Sequence, residues 1–353
     1  MLGLRGSIRS RGWQVAMAAG TVIALAGAGT AAASARPGGH AAGARAGLVN
    51  APASPGTAGA GPVPASVSRI GSWPSASAAV CHFVDIIGAR GSGEPAGGKF
   101  GGLGPPVHKM ISVIQGDLKK AGFSYSAFAL NYPALSVDVL KPSSTEVAAW
   151  ISAPIDPAGA IAALVVYYDH QVKKYLASIK AGVTAAVSKA KSLHHSCGAT
   201  LLVMVGYSQG AMVVHQALVK LSGAVANCVK GAVLLADGNR VKNTRAMRYG
   251  TSLARGEGIQ TWIKQTAKVG PTAHDVPRYA AGNTASICNK SDYVCDFNFF
   301  TGIHWKRGFT VHTSYAVKHN NGSYTYQPVL SRAASAVGGN VVHDLQGHLG
   351  SCS

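Results

Sequence analysis

The chain has 353 residues, which is enough for one large hydrophobic core or two modest ones. Its 32 Lys and Arg residues against 13 Asp and Glu residues give a formal net charge of +19. The basic residues are scattered and lack interleaved aromatics. This composition therefore argues against nucleic-acid binding and indicates only a general attraction to anionic surfaces.

The N-terminus has the pattern of an export signal. Arg5, Arg9 and Arg11 precede an apolar stretch at 15–33, which ends in small residues suited to signal cleavage. An uncleaved membrane anchor is the alternative, but glycines and threonines dilute the apolar stretch and favour removal. We therefore expect residues 1–35 to be a signal peptide and the mature protein to be secreted to the extracellular space.

Residues 36–77 consist mainly of Ala, Gly, Pro and Ser. Such a segment cannot bury enough apolar surface to offset the entropy that it would lose on ordering. We therefore expect a disordered linker or a propeptide there, followed by a folded domain over residues 78–353.

Strand and helix patterns alternate along this domain. Apolar runs predict strands and apolar residues at helical spacing predict helices. In chain order they are a strand at 79–88, a helix at 107–121, a strand at 124–131, a short helix at 146–150, a long helix at 160–193 with Gly182 as the candidate break, a strand at 201–205, a helix at 209–221 and a strand at 231–236. The alternation indicates an α/β fold, with a parallel sheet between two layers of helices.

A Gly-x-Ser-x-Gly motif lies between the strand at 201–205 and the helix that follows it. Gly206 and Gly210 allow close packing of strand and helix, and Ser208 would project its hydroxyl above the sheet near a helix N-terminus. In a chain with 44 glycines the motif alone is weak. Its place between a buried strand and a helix favours a nucleophile elbow.

Residues 238–287 show no clear pattern apart from a helix candidate at 258–268. Basic residues and glycines are frequent in this segment. We favour a surface insertion, and the alternative is a lid or a flap that contacts substrate.

The chain contains six cysteines, at 81, 197, 228, 288, 295 and 352. No Cys-x2-Cys pair with matching His spacing is present, so we expect no zinc site. In an exported protein disulfides are favoured. A bridge between Cys288 and Cys295 would close a compact loop and hold Asp292 rigidly.

A serine hydroxyl becomes a good nucleophile when a base removes its proton, and that base needs an acidic partner. In α/β-hydrolases the three residues follow one another in the order Ser, Asp, His. Ser208, Asp292 and His312 satisfy this order. Three other residues compete for the base and acid roles: His304, Asp296 and Asp275.

Five motifs together resemble the cutinase family of secreted serine esterases. They are Ala89-Arg-Gly-Ser92-Gly-Glu-Pro, Asn131-Tyr-Pro-Ala, the run from Cys197 to Gly210, Cys288-x3-Asp292-x2-Cys295 and His312-x2-Tyr315. The resemblance covers most of residues 81–320, although the segments 238–287 and 292–312 are longer than in compact members. It implies a three-layer α/β/α sandwich of the α/β-hydrolase class, with a central, mostly parallel five-stranded sheet and usually no full lid.

The resemblance also implies roles for the site residues. Ser208 matches the family's nucleophile, His312 its base and Asp292 the partner of the base. The backbone amides of Ser92 and Gln209 match the oxyanion hole, with the Ser92 hydroxyl assisting.

Disulfides are implied in the same way, between Cys81 and Cys197 and between Cys288 and Cys295. Cys228 would then pair with Cys352, a bridge that lies outside the family's usual pattern.

The implied activity is hydrolysis of carboxylic esters of lipids or polyesters through an acyl-enzyme. It needs neither a metal nor an organic cofactor, and we expect a monomer. Within hydrolases the alternatives are an acetylxylan esterase, a lipase or phospholipase, or an acyltransferase of envelope lipids. Outside enzymes, the alternative is a catalytically idle module that binds anionic surfaces.

Overall fold

The computed structural model describes residues 81–140, 143–152, 155–267, 270–298, 301, 304–347 and 352. The expected signal peptide and linker, residues 1–77, lie outside the described residues. Within the described ranges, no helix combines the length and apolar character needed to cross a membrane.

A parallel sheet forms the centre of the domain. Its strands are β1 (Val84–Ala89), β2 (Tyr125–Ala129), β3 (Leu201–Tyr207), β4 (Val229–Leu235), β5 (Met247–Tyr249) and β6 (Thr284–Ile287). They lie in the order β2-β1-β3-β4-β6-β5, and every neighbouring pair is parallel. A separate antiparallel hairpin joins β7 (Ala316–Lys318) to β8 (Tyr324–Tyr326).

The sheet has six strands, so the expected number of five was wrong. The two strands of the β6-β5 edge contain four and three residues. Strands this short carry too few residues for an alternating or apolar pattern to be recognised in the sequence. Both come from the segment 238–287, which was expected to be a surface insertion and which instead extends the sheet.

The helices that the structure describes occupy the intervals between these strands. They are α1 (Pro105–Lys120), α2 (Ser144–Ile151), α3 (Pro157–Tyr167), α4 (Lys173–Ser196), α5 (Gln209–Lys220), α6 (Gly223–Cys228), α7 (Ile259–Ala267), α8 (Arg278–Ala281), α9 (Trp305–Thr313) and α10 (Pro328–Gly347).

Helices cover both faces of the sheet. From β1 the chain passes through α1 to β2 on one side of β1, and it then returns through α4 to β3 on the other side. Because crossovers between parallel strands are right-handed and these two run in opposite directions along the sheet, α1 and α4 lie on opposite faces. Helix α10 packs against α1, and α5 packs against α4. The inner strands β1, β3 and β4 are buried on both sides, which explains why their sequences are nearly continuous apolar runs.

The helical pattern at 160–193 forms two helices rather than one. Helix α3 ends at Tyr167 and α4 begins at Lys173, with a wide helical turn, Tyr168–Val172, between them. Gly182, the expected break, lies inside α4. A Cβ atom there would come within 2.5 Å of the Val213 side chain, so the glycine serves close packing of α4 on α5.

Three disulfides are present: Cys81–Cys197, Cys228–Cys352 and Cys288–Cys295. The first joins the residues just before β1 to the end of α4, and the second joins the last residue of α6 to the residues after α10. The third closes the short loop that contains Asp292. All the cysteines of the chain are therefore paired.

Candidate active site

The candidate nucleophile elbow forms where β3 meets α5. Ser208 has φ 53° and ψ −117°, a backbone conformation that is rare for a residue with a side chain and typical of strained functional turns. A Cβ on Gly206 would lie 2.3 Å from the Gly210 carbonyl oxygen, and a Cβ on Gly210 would lie 2.0 Å from the Ala89 carbonyl oxygen. Both glycines are thus required for this turn to close against β1.

This turn lies at a particular edge of the sheet. Because β1 and β3 are parallel neighbours, the segments that follow them, residues 90–95 and Ser208, emerge at the same edge. The chain leaves β1 towards one side and reaches β3 on the other, so this edge is a topological switch point, where open α/β sheets bind ligands.

Helix α9 brings His312 to Ser208. The Nε2 atom of His312 lies 3.0 Å from the Ser208 Oγ, and both residues are buried, each with 5% of its surface exposed. The Tyr207 ring stacks on the imidazole at 5.4 Å, and its hydroxyl donates to the His312 carbonyl at 3.0 Å. The residue that precedes the serine therefore holds the histidine ring in place.

Asp292 completes the arrangement from the Cys288–Cys295 loop. Its Oδ1 atom lies 3.0 Å from the His312 Nδ1, and the residue is fully buried. The same oxygen accepts the Val294 backbone N–H at 2.7 Å, and the Oδ2 atom accepts the Tyr315 hydroxyl at 2.9 Å. A buried carboxylate with this many donors remains satisfied while it orients the imidazole.

The predicted oxyanion residues belong to the two segments that emerge at this edge of the sheet, after β1 and after β3. Ser92 belongs to the loop 90–95 after β1, and Gln209 is the first residue of α5 and is fully buried. The Gly93 N–H donates to the Ala134 carbonyl at 2.8 Å, which ties the loop to the Asn131-Tyr-Pro-Ala motif.

Arg90 and Tyr132 lock the same loop. The Arg90 guanidinium donates to the carbonyls of Leu130 and Tyr132, and its Nε donates to the Glu94 carbonyl at 2.8 Å. The Tyr132 hydroxyl donates back to the Arg90 carbonyl. Two motifs about forty residues apart thus form one hydrogen-bonded unit that includes the loop of Ser92.

The structure places the rival residues elsewhere. His304 is exposed and precedes α9. Asp275 pairs with Thr244 and Arg245, and Asp296 accepts hydrogen bonds from Ser252 and from the Ser291 backbone. The described contacts bring none of the three to Ser208.

A second buried histidine–carboxylate pair joins the elbow helix to the residues after β4. His215 Nδ1 is 2.5 Å from Asp237 Oδ2, and Asp237 also accepts the Asn239 backbone N–H at 2.9 Å. Burial is the largest single influence on the pKa of His215 and lowers it, but the charge and hydrogen bond of Asp237, the charge of Asp275 and a hydrogen bond with the His274 backbone together raise it, so that the net shift is upward. The pair anchors the residues after β4 to α5.

Part of the segment 238–287 supports the aspartate loop. Arg240 is buried and donates to the Cys295 carbonyl at 3.3 Å, and the Ile259 N–H donates to the Val294 carbonyl at 2.8 Å. These contacts hold the loop that carries Asp292.

Phe297 and Phe309 occupy different environments within the aromatic-rich segment 297–309. Phe297 is buried and packs against Trp262 and Tyr293 with ring centroids 4.9 and 5.2 Å apart, so this residue is core. Phe309 is partly exposed and its ring lies 6.2 Å from that of His312. Phe299 and Phe300 lie outside the described residues.

Sequence reasoning assigned no role to three tyrosines of the site. Tyr207 and Tyr315 contact the His–Asp pair, and Tyr175 of α4 is hydrogen-bonded to Ser92. Tyr207 and Tyr315 lie inside recognised motifs, next to Ser208 and three residues after His312, and these positions in the sequence could have indicated their role. Tyr175 lies in an ordinary helical pattern and no local signal marks it.

Within the described part of the chain, one cluster has the spacing of a metal site: His194, Cys228 and Cys352. Its two sulfur atoms are bonded to each other, so neither is a thiolate that could bind a metal.

Comparisons with known proteins point to one family. Residues 156–327 match the family model described as Cutinase. An acetylxylan esterase of Hypocrea jecorina is 26% identical over 132 residues, which cover 33% of this chain and 42% of that protein. A cutinase of Hypocrea jecorina is 40% identical over 71 residues, which cover 20% of this chain and 28% of that protein. The chain thus spans less than half the length of these relatives.

Solved structures include a cutinase-like protein from Cryptococcus sp., with 18% identity and a TM-score of 0.39 over 67% of this chain and 93% of that one. The catalytic core of an acetyl xylan esterase from Trichoderma reesei has 21% identity and a TM-score of 0.39, over 66% of this chain and 96% of that one. The family-model match and the two curated relatives confirm the resemblance seen in the motifs. Over residues 156–327 the chain is therefore similar to the cutinase family.

Proposed function

We propose that the protein is a secreted serine carboxylesterase that acts through an acyl-enzyme. The observation that carries the proposal is the position of the His312 ring, with its two nitrogens 3.0 Å from the Ser208 Oγ and 3.0 Å from the Asp292 Oδ1. This is the geometry of a nucleophile, a base and an orienting carboxylate.

In the proposed reaction, the Ser208 oxygen attacks the ester carbonyl while His312 Nε2 accepts the serine proton. Asp292 stays ionised and stabilises the imidazolium. The backbone amides of Ser92 and Gln209 stabilise the tetrahedral oxyanion, where the loss of one donor costs about 3 kcal/mol. The alcohol leaves with the proton from His312, and a water molecule activated by the same base then releases the acid.

Replacement of Ser208 tests this proposal. We expect Ser208→Ala to lower kcat for p-nitrophenyl esters by at least about 10⁴-fold, because residues of a triad act as a unit. The matched control is Ser335→Ala, which removes an exposed hydroxyl bonded to Asp117 and should leave kcat unchanged. Turnover by Ser208→Ala at the wild-type rate would refute the assignment.

The substrate proposed first is an ester of a lipid or a polyester, on the strength of the 40% identity to a cutinase. The acetylxylan esterase among the relatives favours acetylated xylan as the second candidate. Acyl-chain profiling of the purified protein with p-nitrophenyl acetate to palmitate, acetylated xylan and phospholipid separates these classes. A preference for acetyl groups on xylan would exclude the first, and phospholipid turnover would favour the lipase alternative.

A catalytically idle binding module is the alternative outside enzymes. A fluorophosphonate probe reacts only with an activated serine, so we expect stoichiometric labelling of the wild-type chain and none of Ser208→Ala. An unlabelled wild-type protein would favour the binding module.

Secretion is part of the proposal. The expected signal peptide at 1–35 and the three disulfides support export to an oxidising compartment. N-terminal sequencing of protein from the culture medium should place the first residue near 36, and retention of the mature protein in the cytoplasm would contradict export.

A further inference from the structure

One helix contacts both residues of the candidate oxyanion hole. Tyr175 and Ser178 lie three residues apart on α4 and therefore on the same helix face. The Tyr175 Oη lies 2.6 Å from the Ser92 Oγ, and the Ser178 hydroxyl donates to the Gln209 Oε1 at 3.3 Å. Helix α4 thus reaches the loop after β1 and the first residue of the elbow helix at once.

The donor and acceptor capacities of these groups determine the direction of the hydrogen bonds. An amide nitrogen only donates, and the Gln209 Nε2 is buried without a hydrogen-bond partner of full geometry among the described residues. Burial raises the pKa of Tyr175, and hydrogen bonding with the Ser92 hydroxyl and the Gln209 side chain lowers it in part. Tyr175 therefore keeps its proton at neutral pH, and its oxygen can accept from the amide.

If Gln209 donates to the tyrosine oxygen, the tyrosine proton faces the Ser92 Oγ. The Ser92 oxygen is then occupied as an acceptor, and its own proton is free to point elsewhere. Because the Ser92 amide is a proposed oxyanion donor, the free hydroxyl proton is available to the same oxyanion.

We propose that Tyr175 is a positioning residue that orients the Ser92 hydroxyl towards the oxyanion, with Ser178 holding Gln209 from the same helix. This inference rests on the proposed esterase function and deepens it. Tyr175 does not touch substrate in this scheme and acts through Ser92. Its effect should therefore appear when the transition state forms and not in ground-state binding.

A double-mutant cycle with Ser92→Ala and Tyr175→Phe tests the proposal on p-nitrophenyl butyrate. Tyr175→Phe keeps the ring and removes the hydroxyl, and we expect kcat to fall about tenfold with KM unchanged. Ser92→Ala should lower kcat by at least as much. The double variant should match Ser92→Ala, because the tyrosine has no hydroxyl left to orient.

Several outcomes would overturn the inference. Additive losses in the double variant, an unchanged kcat in Tyr175→Phe, or a loss confined to KM would each show that Tyr175 does not act through Ser92. The matched control is Tyr279→Phe, which removes a hydroxyl bonded to the Leu218 carbonyl and should leave kcat unchanged.

Folding is checked by the melting temperature of each variant. Should Tyr175→Phe fail to fold, Ser178→Ala decides the question: about a threefold loss of kcat at constant KM supports the role of α4, and an unchanged kcat overturns it. Ser208→Ala separates this inference from the proposed function. If Ser208→Ala is inactive and the losses of Ser92→Ala and Tyr175→Phe are additive in the double variant, only the positioning role of Tyr175 is refuted. If Ser208→Ala is active, both the positioning role and the proposed esterase function are refuted.

Discussion

Glu94 lies in the loop that carries Ser92, with its carboxylate turned inward. Its Oε2 atom accepts the Gly91 N–H, and a Cβ on Gly104 would lie 2.1 Å from it. Burial raises the pKa of Glu94 to about 7, although the Gly91 N–H and the Arg90 charge both lower it. The loop thus contains a carboxyl group that the fold prefers to keep protonated.

This upward shift makes stability depend on pH. A protonated Glu94 contributes fully below its ordinary pKa of 4.5, and the contribution is lost as pH rises to about 7. Relative to Glu94→Gln, we expect the wild type to lose on the order of 2–3 kcal/mol of unfolding free energy between pH 4.5 and 7.5. Melting temperatures of both proteins across this range check it. A constant difference would show that Glu94 titrates alike in the folded and unfolded chain.

Individual residues differ in how far the sequence could identify them. Ser208 lies in a motif with a defined local context, and Asp292 and His312 lie in motifs that follow in the expected order. Tyr175 approaches Ser92 across 83 positions of the chain, and no pattern around either residue encodes that contact. Side-chain partners of this kind depend on how two helices and a loop pack, which local periodicity does not describe.

The elbow is the element whose local sequence is most tightly constrained. We expect Gly210→Ala to lower the unfolding free energy by at least about 3 kcal/mol, because the added methyl group would collide with the rigid Ala89 backbone. Gly116→Ala is the matched control. That glycine lies inside α1, and apart from its chain neighbours and the nearby helix backbone no atom lies within 4 Å of the added Cβ, so alanine should stabilise the helix by about 0.5–1 kcal/mol.

Urea unfolding of the two glycine variants and the wild type measures both effects. Equal stability of Gly210→Ala and the wild type would mean that the turn relaxes, and its tight packing would then not be required for folding.

Among the elements, long patterns were predicted better than short ones. The sequence indicates β1, β3, β4, α1 and α5 because each has enough residues to show its periodicity. The short strands β5 and β6 and the turn between α3 and α4 have no such signal, since pairing with a neighbouring strand and packing against other helices define them.

The three disulfides divide the molecule into long and short closed loops. Their cysteines are 116, 124 and 7 positions apart. On the chain-entropy model each long loop contributes about 5 kcal/mol to the unfolding free energy and the short one about 2 kcal/mol. The short loop carries Asp292, so its bridge should matter more for activity than for stability.

Two double-alanine variants, each lacking one disulfide, test whether the long loop contributes mainly to stability and the short loop mainly to activity. We expect Cys228→Ala with Cys352→Ala to show the larger fall in melting temperature and a kcat near that of the wild type at 25 °C. Cys288→Ala with Cys295→Ala should keep more stability but lose about 10-fold to 100-fold in kcat, because Asp292 is no longer held against His312. Calorimetry and ester hydrolysis measure the two properties, and the reverse ranking would contradict the assignment.

The sequence alone determined the α/β class, the order of the long elements, the candidate nucleophile elbow and the set of residues proposed for the site. Local apolar patterns and glycine requirements carry that information, since they act within one element or one turn. Tertiary structure decided the sixth strand, the proximity of His312 rather than His304 to Ser208, and the contacts of Tyr175 and Tyr315. Those features join residues far apart in the chain, and packing of the whole sheet and its helices is what brings them together.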